Sequence, residues 1–208
     1  MKKYLIIGNQ NAITYKEIFP LIKDNKMWLG ISTNGSNRWF RVPNNYIHRN
    51  NAAGYKEQDG KKYLFVNGIM WFTNLDHSKR HEKIDLYKHY NPEEYPKYDN
   101  YDAIEVSKVC EIPMDYEEER IVTEDELIKL KEQGFDVEII EEYKIKIKNP
   151  VMGVPITFID KYCHEQFEII GLMSGVKHDV FINGDDGRAK FYINGKGVYA
   201  RILIRIKK

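Results

Sequence analysis

Three short stretches of this 208-residue chain carry side chains that could do chemistry. Gly8-Asn-Gln-Asn11 sets two amides, Asn9 and Asn11, at the carboxyl end of the apolar run 3–8. Ligands of open parallel sheets gather beyond such strand ends, where an amide can bond a base or cofactor without bringing charge. The same amides could instead cap a following helix. Residues 30–56 contain no Asp or Glu, but hold Arg38, Arg41, Arg49, Lys56 and six asparagines, Asn44 and Asn45 among them, with Trp39, Phe40 and Tyr46 interleaved. Arg reads guanine and Asn reads adenine through paired hydrogen bonds, and a segment free of carboxylates can approach phosphate. A solvated insertion between strands would have the same composition. Finally, Asp76-His-Ser-Lys-Arg-His81 offers Lys79 and Arg80 as a phosphate-binding patch or as a plain solvated face. Its two histidines have i, i+4 spacing, yet no Cys, third His or His-Glu-x-x-His pattern supports them, so no metal is expected.

The elements that must position these residues can be read in outline. The run 3–8 suits a buried strand of a parallel sheet. Thr14 and Glu17 have capping-box spacing for a helix from Tyr15, which Pro20 would kink or restart. Lys26 to Ser32 is a second strand, and together these form a strand, helix, strand crossover. Strand character returns over 62–73, with a hairpin or bulge at Asn67-Gly68. Residues 77–102 read as a long ordered loop or linker. Thr123 and Glu126 give a second capping box, Leu127 and Leu130 share a face, and Gly134 stands at a C-terminal cap, followed by a hairpin to 148. Further strands are expected at 154–159, 167–172, 179–183, 189–193 and 198–206, with turns at Asn183-Gly184 and Asn194-Gly195.

A net charge of +1 does not by itself announce nucleic acid, although 30% of residues are charged. Its distribution is uneven. Residues 111–142 hold thirteen Asp or Glu against three Lys or Arg, so the remainder is basic. This acidic stretch reads as a solvated, self-repelling surface rather than as paired catalytic carboxylates. Two cysteines, Cys110 and Cys163, are too few for a disulfide framework. No apolar run is long enough for a signal peptide or a membrane span, so a cytoplasmic protein with no membrane partner is expected.

Five separated blocks resemble the EcoRI-type adenine-specific DNA methyltransferases: Lys3 to Phe19, Trp71-Phe-Thr-Asn-Leu-Asp-His77, Tyr101-Asp-Ala-Ile-Glu-Val-Ser-Lys with Ile112-Pro, Gly153 to Tyr162 with Glu165-Gln-Phe-Glu-Ile-Ile-Gly171, and Tyr199-Ala-Arg-Ile-Leu-Ile-Arg205. The family's Asn-Pro-Pro-Phe catalytic motif and glycine-rich cofactor loop lie upstream of the block that begins here at residue 3. Asn91-Pro-Glu-Glu and Asn149-Pro-Val-Met are the nearest tetrapeptides and lack the second proline and the aromatic residue.

The resemblance therefore implies the C-terminal half of such an enzyme, an α/β chain with a partial Rossmann-like methyltransferase sheet, a mostly β C-terminal region and an inserted acidic helix-hairpin. Residues 1–110 would hold the remaining α/β half with a basic Asn-rich insertion at 30–60, 111–148 the acidic insertion, and 149–208 the β-rich region. It implies double-stranded DNA as partner, with Arg38, Arg41, Asn44, Asn45, Arg49, Lys79 and Arg80 as contacts and Asn9 and Asn11 facing an adenine pocket. S-adenosylmethionine would be bound only if a separate N-terminal methyltransferase half completed the enzyme, and no catalytic residue is assigned here. Some 35 residues intervene between Tyr116 and Gly153 where the family passes quickly from one block to the next. Two other classes fit the composition: a stand-alone DNA-binding or regulatory protein from a phage or restriction system, without catalysis, or an interaction protein whose acidic lobe mimics nucleic acid.

Overall fold

The computed structural model describes residues 2–31, 36–47, 54–173 and 191–207. The chain is mixed α/β, mostly strands with few helices, and divides into two compact units, Met1–His77 and Ser78–Lys208.

In the first unit, β1 (Leu5–Asn9) is followed by a 3-10 turn, Gln10–Thr14, a short helix α1 (Phe19–Lys23) and β2 (Trp28–Leu29). The expected helix from Tyr15 does not form. Thr14 turns its hydroxyl back to the Asn11 carbonyl, 2.9 Å away, and so caps nothing downstream. Pro20 sits in the first turn of α1, where its missing N–H has no intrahelical partner to lose. Strand β3 (Ser36–Val42), β4 (Tyr55–Gln58) and the 13-residue β5 (Lys61–Thr73) complete the sheet. β5 is its spine. It pairs antiparallel with all four other strands and lies between β1 and β2, which run in the same direction but are not neighbours. The strand, helix, strand unit is thus present with an antiparallel strand inserted at its centre. Asp59-Gly60, both at positive φ, closes the β4–β5 hairpin, as this dipeptide favours. Gly68, also at positive φ, marks the irregularity where β3 slips against β5. Ile13, Phe19, Ile22, Met27, Leu29, Met70 and Phe72 are buried.

The second unit is built on a four-stranded sheet, in the order β11 (Phe167–Met173), β14 (Arg201–Ile206), β10 (Met152–Pro155) and β6 (Ile104–Glu105). Ile156–Lys161 leaves β10 as a 3-10 turn, so the strand expected at 154–159 is short. A smaller sheet joins β7 (Glu118–Ile121), β9 (Lys144–Ile147) and β8 (Val137–Glu141). Helix α2 (Glu124–Glu132) has both halves of its capping box, Thr123 with Glu126. It closes on Gly134 at φ 76°, with Phe135 N–H donating to the Leu130 carbonyl at 3.0 Å. Val122, Leu130, Ile145 and Ile147 form the core between helix and hairpin. The pair β12 (Tyr192–Ile193) and β13 (Lys196–Gly197) turns at Asn194-Gly195, both at positive φ. The expected strand at 179–183, the start of that at 189–193 and the Asn183-Gly184 turn lie outside the described residues.

The acidic stretch is less self-repelling than its composition implies, because its cations come from β9 and the residue after it, just beyond the stretch in sequence. Lys144 meets Glu119 at 3.0 Å, Lys146 meets Glu117 at 3.5 Å and Lys148 meets Glu138 at 2.7 Å. Hydrogen bonding from Lys144 holds the Glu119 carboxyl below its ordinary pKa. Alternation along antiparallel strands places these opposite charges side by side.

Candidate nucleic-acid interface

Arg38 and Arg41 are not on a loop. Both are exposed on β3, three positions apart, and successive strand side chains point to opposite faces. Arg41 pairs with Tyr63 and Trp39 with Phe65, whereas Arg38 pairs with Val66 and Phe40 with Leu64. On the far side of β5, Lys56 pairs with Tyr63 and Glu57 with Lys62. One face of this three-stranded arm therefore carries Trp39, Arg41, Lys56, Lys61, Tyr63 and Phe65; the other carries Arg38, Phe40, Val42, Tyr55, Glu57, Lys62, Leu64 and Val66. Side-chain contacts confirm the register. Trp39 and Phe65 ring centroids are 5.0 Å apart, and Lys56 Nζ lies 4.7 Å from the Trp39 ring centre and 5.4 Å from that of Tyr63. Among the described residues the first face has three cations and no carboxylate.

Asn44 and Asn45 are exposed in the turn that follows β3, which is closed by Tyr46 N–H donating to the Pro43 carbonyl at 2.9 Å. Arg49 lies outside the described residues. Asn9 ends β1 and accepts from the Asn11 N–H at 2.9 Å, so its side-chain oxygen caps the 3-10 turn. The Asn9 and Asn11 residues themselves are exposed.

The basic patch in the second unit is anchored inward. Lys79 and Arg80 lie in a 3-10 turn, Ser78–His81, and are half-buried; Lys79 Nζ pairs with Asp160 at 3.0 Å. Asp160 would compete with a phosphate for the Lys79 ammonium. The histidine spacing is not realised on an α-helix either. His77 Nε2 contacts the Leu29 carbonyl at 2.9 Å, whereas His81 Nδ1 contacts Glu165 at 2.7 Å. Glu165 also accepts from the Cys163 thiol at 2.9 Å; these two hydrogen bonds hold its carboxyl down at about 2. His81, His164 and Glu165 bring ligand atoms within 4.8 Å of one another, a grouping that sequence separation concealed. Burial lowers the pKa of His164, and the Arg80 and Lys207 charges add to that effect against the pull of Glu165. The two hydrogen bonds account for the position of the carboxylate.

The family-like blocks between residues 101 and 205 converge on the second unit's sheet. Glu105, 4% exposed, receives Arg201 Nε at 2.8 Å and the Tyr98 hydroxyl. Burial pushes the Tyr98 phenol far above its ordinary pKa. Gly153 lies under the Tyr98 ring, where a Cβ would collide with the phenol. Gln166 clamps Ile84 through both backbone groups, at 2.7 and 2.8 Å, and so holds the long 78–102 segment in place. These residues build and brace the sheet.

A family model described as adenine-specific methyltransferase EcoRI matches residues 1–150 and 131–207. The chain belongs to the EcoRI adenine-specific methyltransferase family. It is 39% identical over 209 residues to the Type II methyltransferase M.EcoRI of Escherichia coli, covering 100% of this chain and 51% of that protein. Against the Type II methyltransferase M.MpnI of Mycoplasma pneumoniae the identity is 29% over 214 residues, covering 98% of this chain and 56% of the relative. M.MgeORF184P of Mycoplasma genitalium is 28% identical over 214 residues, with 98% and 57% covered. The chain spans about half the length of these curated relatives. No solved structure matches it. The two stretches matched to the family overlap at 131–150, across the end of the acidic segment.

Proposed function

We propose that the chain is the C-terminal, DNA-recognition half of an S-adenosylmethionine-dependent adenine-N6 DNA methyltransferase and does not methylate without the half that carries the methyl donor. The observation that carries this reading is full-length similarity to a Type II methyltransferase about twice as long, in a sequence without an Asn-Pro-Pro-Phe tetrapeptide. Methyl transfer to an exocyclic amine needs the sulfonium in line with the nitrogen and acceptors that localise its lone pair. In this reading both are supplied upstream, the target adenine is flipped out of the duplex, and Asn9 and Asn11 face its pocket from the end of β1.

The shape of β1 supports the reading. Among the described residues it is an edge strand paired only with β5, and Leu5, Ile6 and Ile7 are 54%, 50% and 50% exposed. Leu5, Ile31 and Trp71 also line an open pocket of about 390 Å³ that ends at Asp76 and His77. An unpaired edge with three consecutive aliphatics is a template for another strand. The upstream half, continuing a Rossmann-like methyltransferase sheet, is its proposed occupant, and the segment around 111–148 is proposed as an insertion in that frame.

Co-expression with the corresponding upstream half of a family member, followed by transfer of labelled methyl groups to duplex DNA, tests the assignment. Activity only in the pair is expected; methylation or tight S-adenosylmethionine binding by the 208-residue chain alone overturns it. Arg38→Ala and Arg41→Ala should each weaken duplex binding and lower the salt slope by about 0.9 for every phosphate no longer neutralised. Unchanged affinity and slope in both would remove β3 from the interface.

A further inference from the structure

The β3–β5–β4 arm carries more than scattered cations. Trp39 is 43% exposed, and Tyr63 and Phe65 are half-buried beside it, so three aromatic rings share one side of the sheet. Gly54 itself places no side chain opposite Phe65, whose N–H bonds the Gly54 carbonyl at 2.7 Å. Arg41, Lys56 and Lys61 surround the rings, while Glu57 projects from the opposite face, where it accepts from the Tyr55 hydroxyl. A protein core would bury these rings, and a solvated face would not group them.

We propose that this face is a stacking platform for an unpaired nucleotide of DNA: a base lies on Trp39, backed by Phe65 and Tyr63, and the three cations meet the flanking phosphates. Every base offers a π-face, so aromatic rings among cations bind single strands with little sequence preference. Lys56 now covers the Trp39 ring as a cation–π partner. Its flexible stem lets a base displace the ammonium from the ring toward a phosphate, which exchanges one electrostatic contact for another while stacking is gained. Arg38, on the other face, is not part of the platform. The inference rests on the DNA-recognition reading and refines it: an enzyme that extrudes its target leaves the opposite base without a partner, and this face can accept an unpaired base.

The experiment measures fluorescence anisotropy of the full chain with oligothymidylate and with duplex DNA, for the wild type and for Trp39→Ala, Trp39→Phe, Lys56→Ala and, on the opposite face, Lys62→Ala. Circular dichroism confirms that each variant is folded. Trp39→Ala is expected to weaken oligothymidylate binding by about 10-fold or more, with Trp39→Phe retaining most of the affinity and Lys62→Ala affecting it less than Lys56→Ala. Equal losses from Lys56→Ala and Lys62→Ala, or a Trp39→Ala variant that binds oligothymidylate as the wild type does, overturn the platform. Duplex binding by the wild type without any binding to oligothymidylate overturns the platform and leaves the DNA-recognition reading standing. Failure to bind either nucleic acid overturns both.

Discussion

The second unit takes Glu105 into its interior against a half-buried Arg201 and covers its four-stranded sheet, whereas the first leaves the aliphatics of β1 and the ring row of β3 and β5 in contact with solvent. A buried ion pair survives only where geometry and extra hydrogen bonds compensate lost hydration, so the Tyr98, Glu105 and Arg201 cluster marks a unit organised for internal order. Exposed Leu5, Ile6 and Ile7 on a strand that pairs on one side among the described residues, and aromatic rings grouped with cations, are what a surface for a further partner would need. The recurrent sequence blocks therefore do two jobs. Those of the second unit build a scaffold, and the block at residues 3–19 opens with an edge.

This contrast can be broken at several points. Glu105→Ala should have the largest effect, a loss of about 3–5 kcal/mol, because it strands the Arg201 guanidinium without its carboxylate; urea denaturation followed by circular dichroism measures it, and a loss near zero would mean that the cluster is hydrated. Thr123→Ala removes the α2 cap and should cost about 1 kcal/mol by the same measurement. On β1 the expectation inverts. Leu5→Lys or Ile7→Lys should change stability by no more than about 0.5 kcal/mol, as exposed positions allow, yet abolish recovery of the upstream half in co-purification. A large loss of stability instead would show that β1 belongs to an internal core.

The smallest effect concerns acid. Glu165 has its pKa depressed from the ordinary 4.5 to about 2, so its contribution is fully present above 4.5 and is lost as the pH falls toward 2. With the side chain 41% exposed, solvent screening keeps that contribution below about 1 kcal/mol. The stability difference between wild type and Glu165→Gln should therefore shrink between pH 4.5 and 2. A difference constant over that window would detach Glu165 from His81 and Cys163.

Where a few neighbouring residues decide the conformation, the sequence was sufficient. Thr123 with Glu126, Gly134 and Asn194-Gly195 act through backbone hydrogen bonds and positive φ, so the α2 cap, its C-terminal stop and the β12–β13 turn were legible. The same reasoning failed at Thr14 and Glu17, because Asn9 captured the turn first. It also passed over Asp59-Gly60 with the β4–β5 hairpin, and over the β3–β5 pairing that makes Arg38 and Arg41 strand residues on opposite faces. The Trp39, Tyr63 and Phe65 row needed a register between strands more than twenty residues apart, and Glu105 met Arg201 across 96 positions.

By itself, the sequence determined the family, the mixed α/β class, the local caps and the uneven charge, since each depends on residue identity or near-neighbour spacing. Only the tertiary structure decided which cations meet a carboxylate and which share a sheet face with aromatic rings: it set Lys79 against Asp160 and Lys144, Lys146 and Lys148 against the acidic segment, and put Arg41 and Lys61 on the face of Tyr63 and Phe65. Coulomb attraction falls off over a few ångströms in water, so a charge is silenced by what folding brings next to it, not by what adjoins it along the chain.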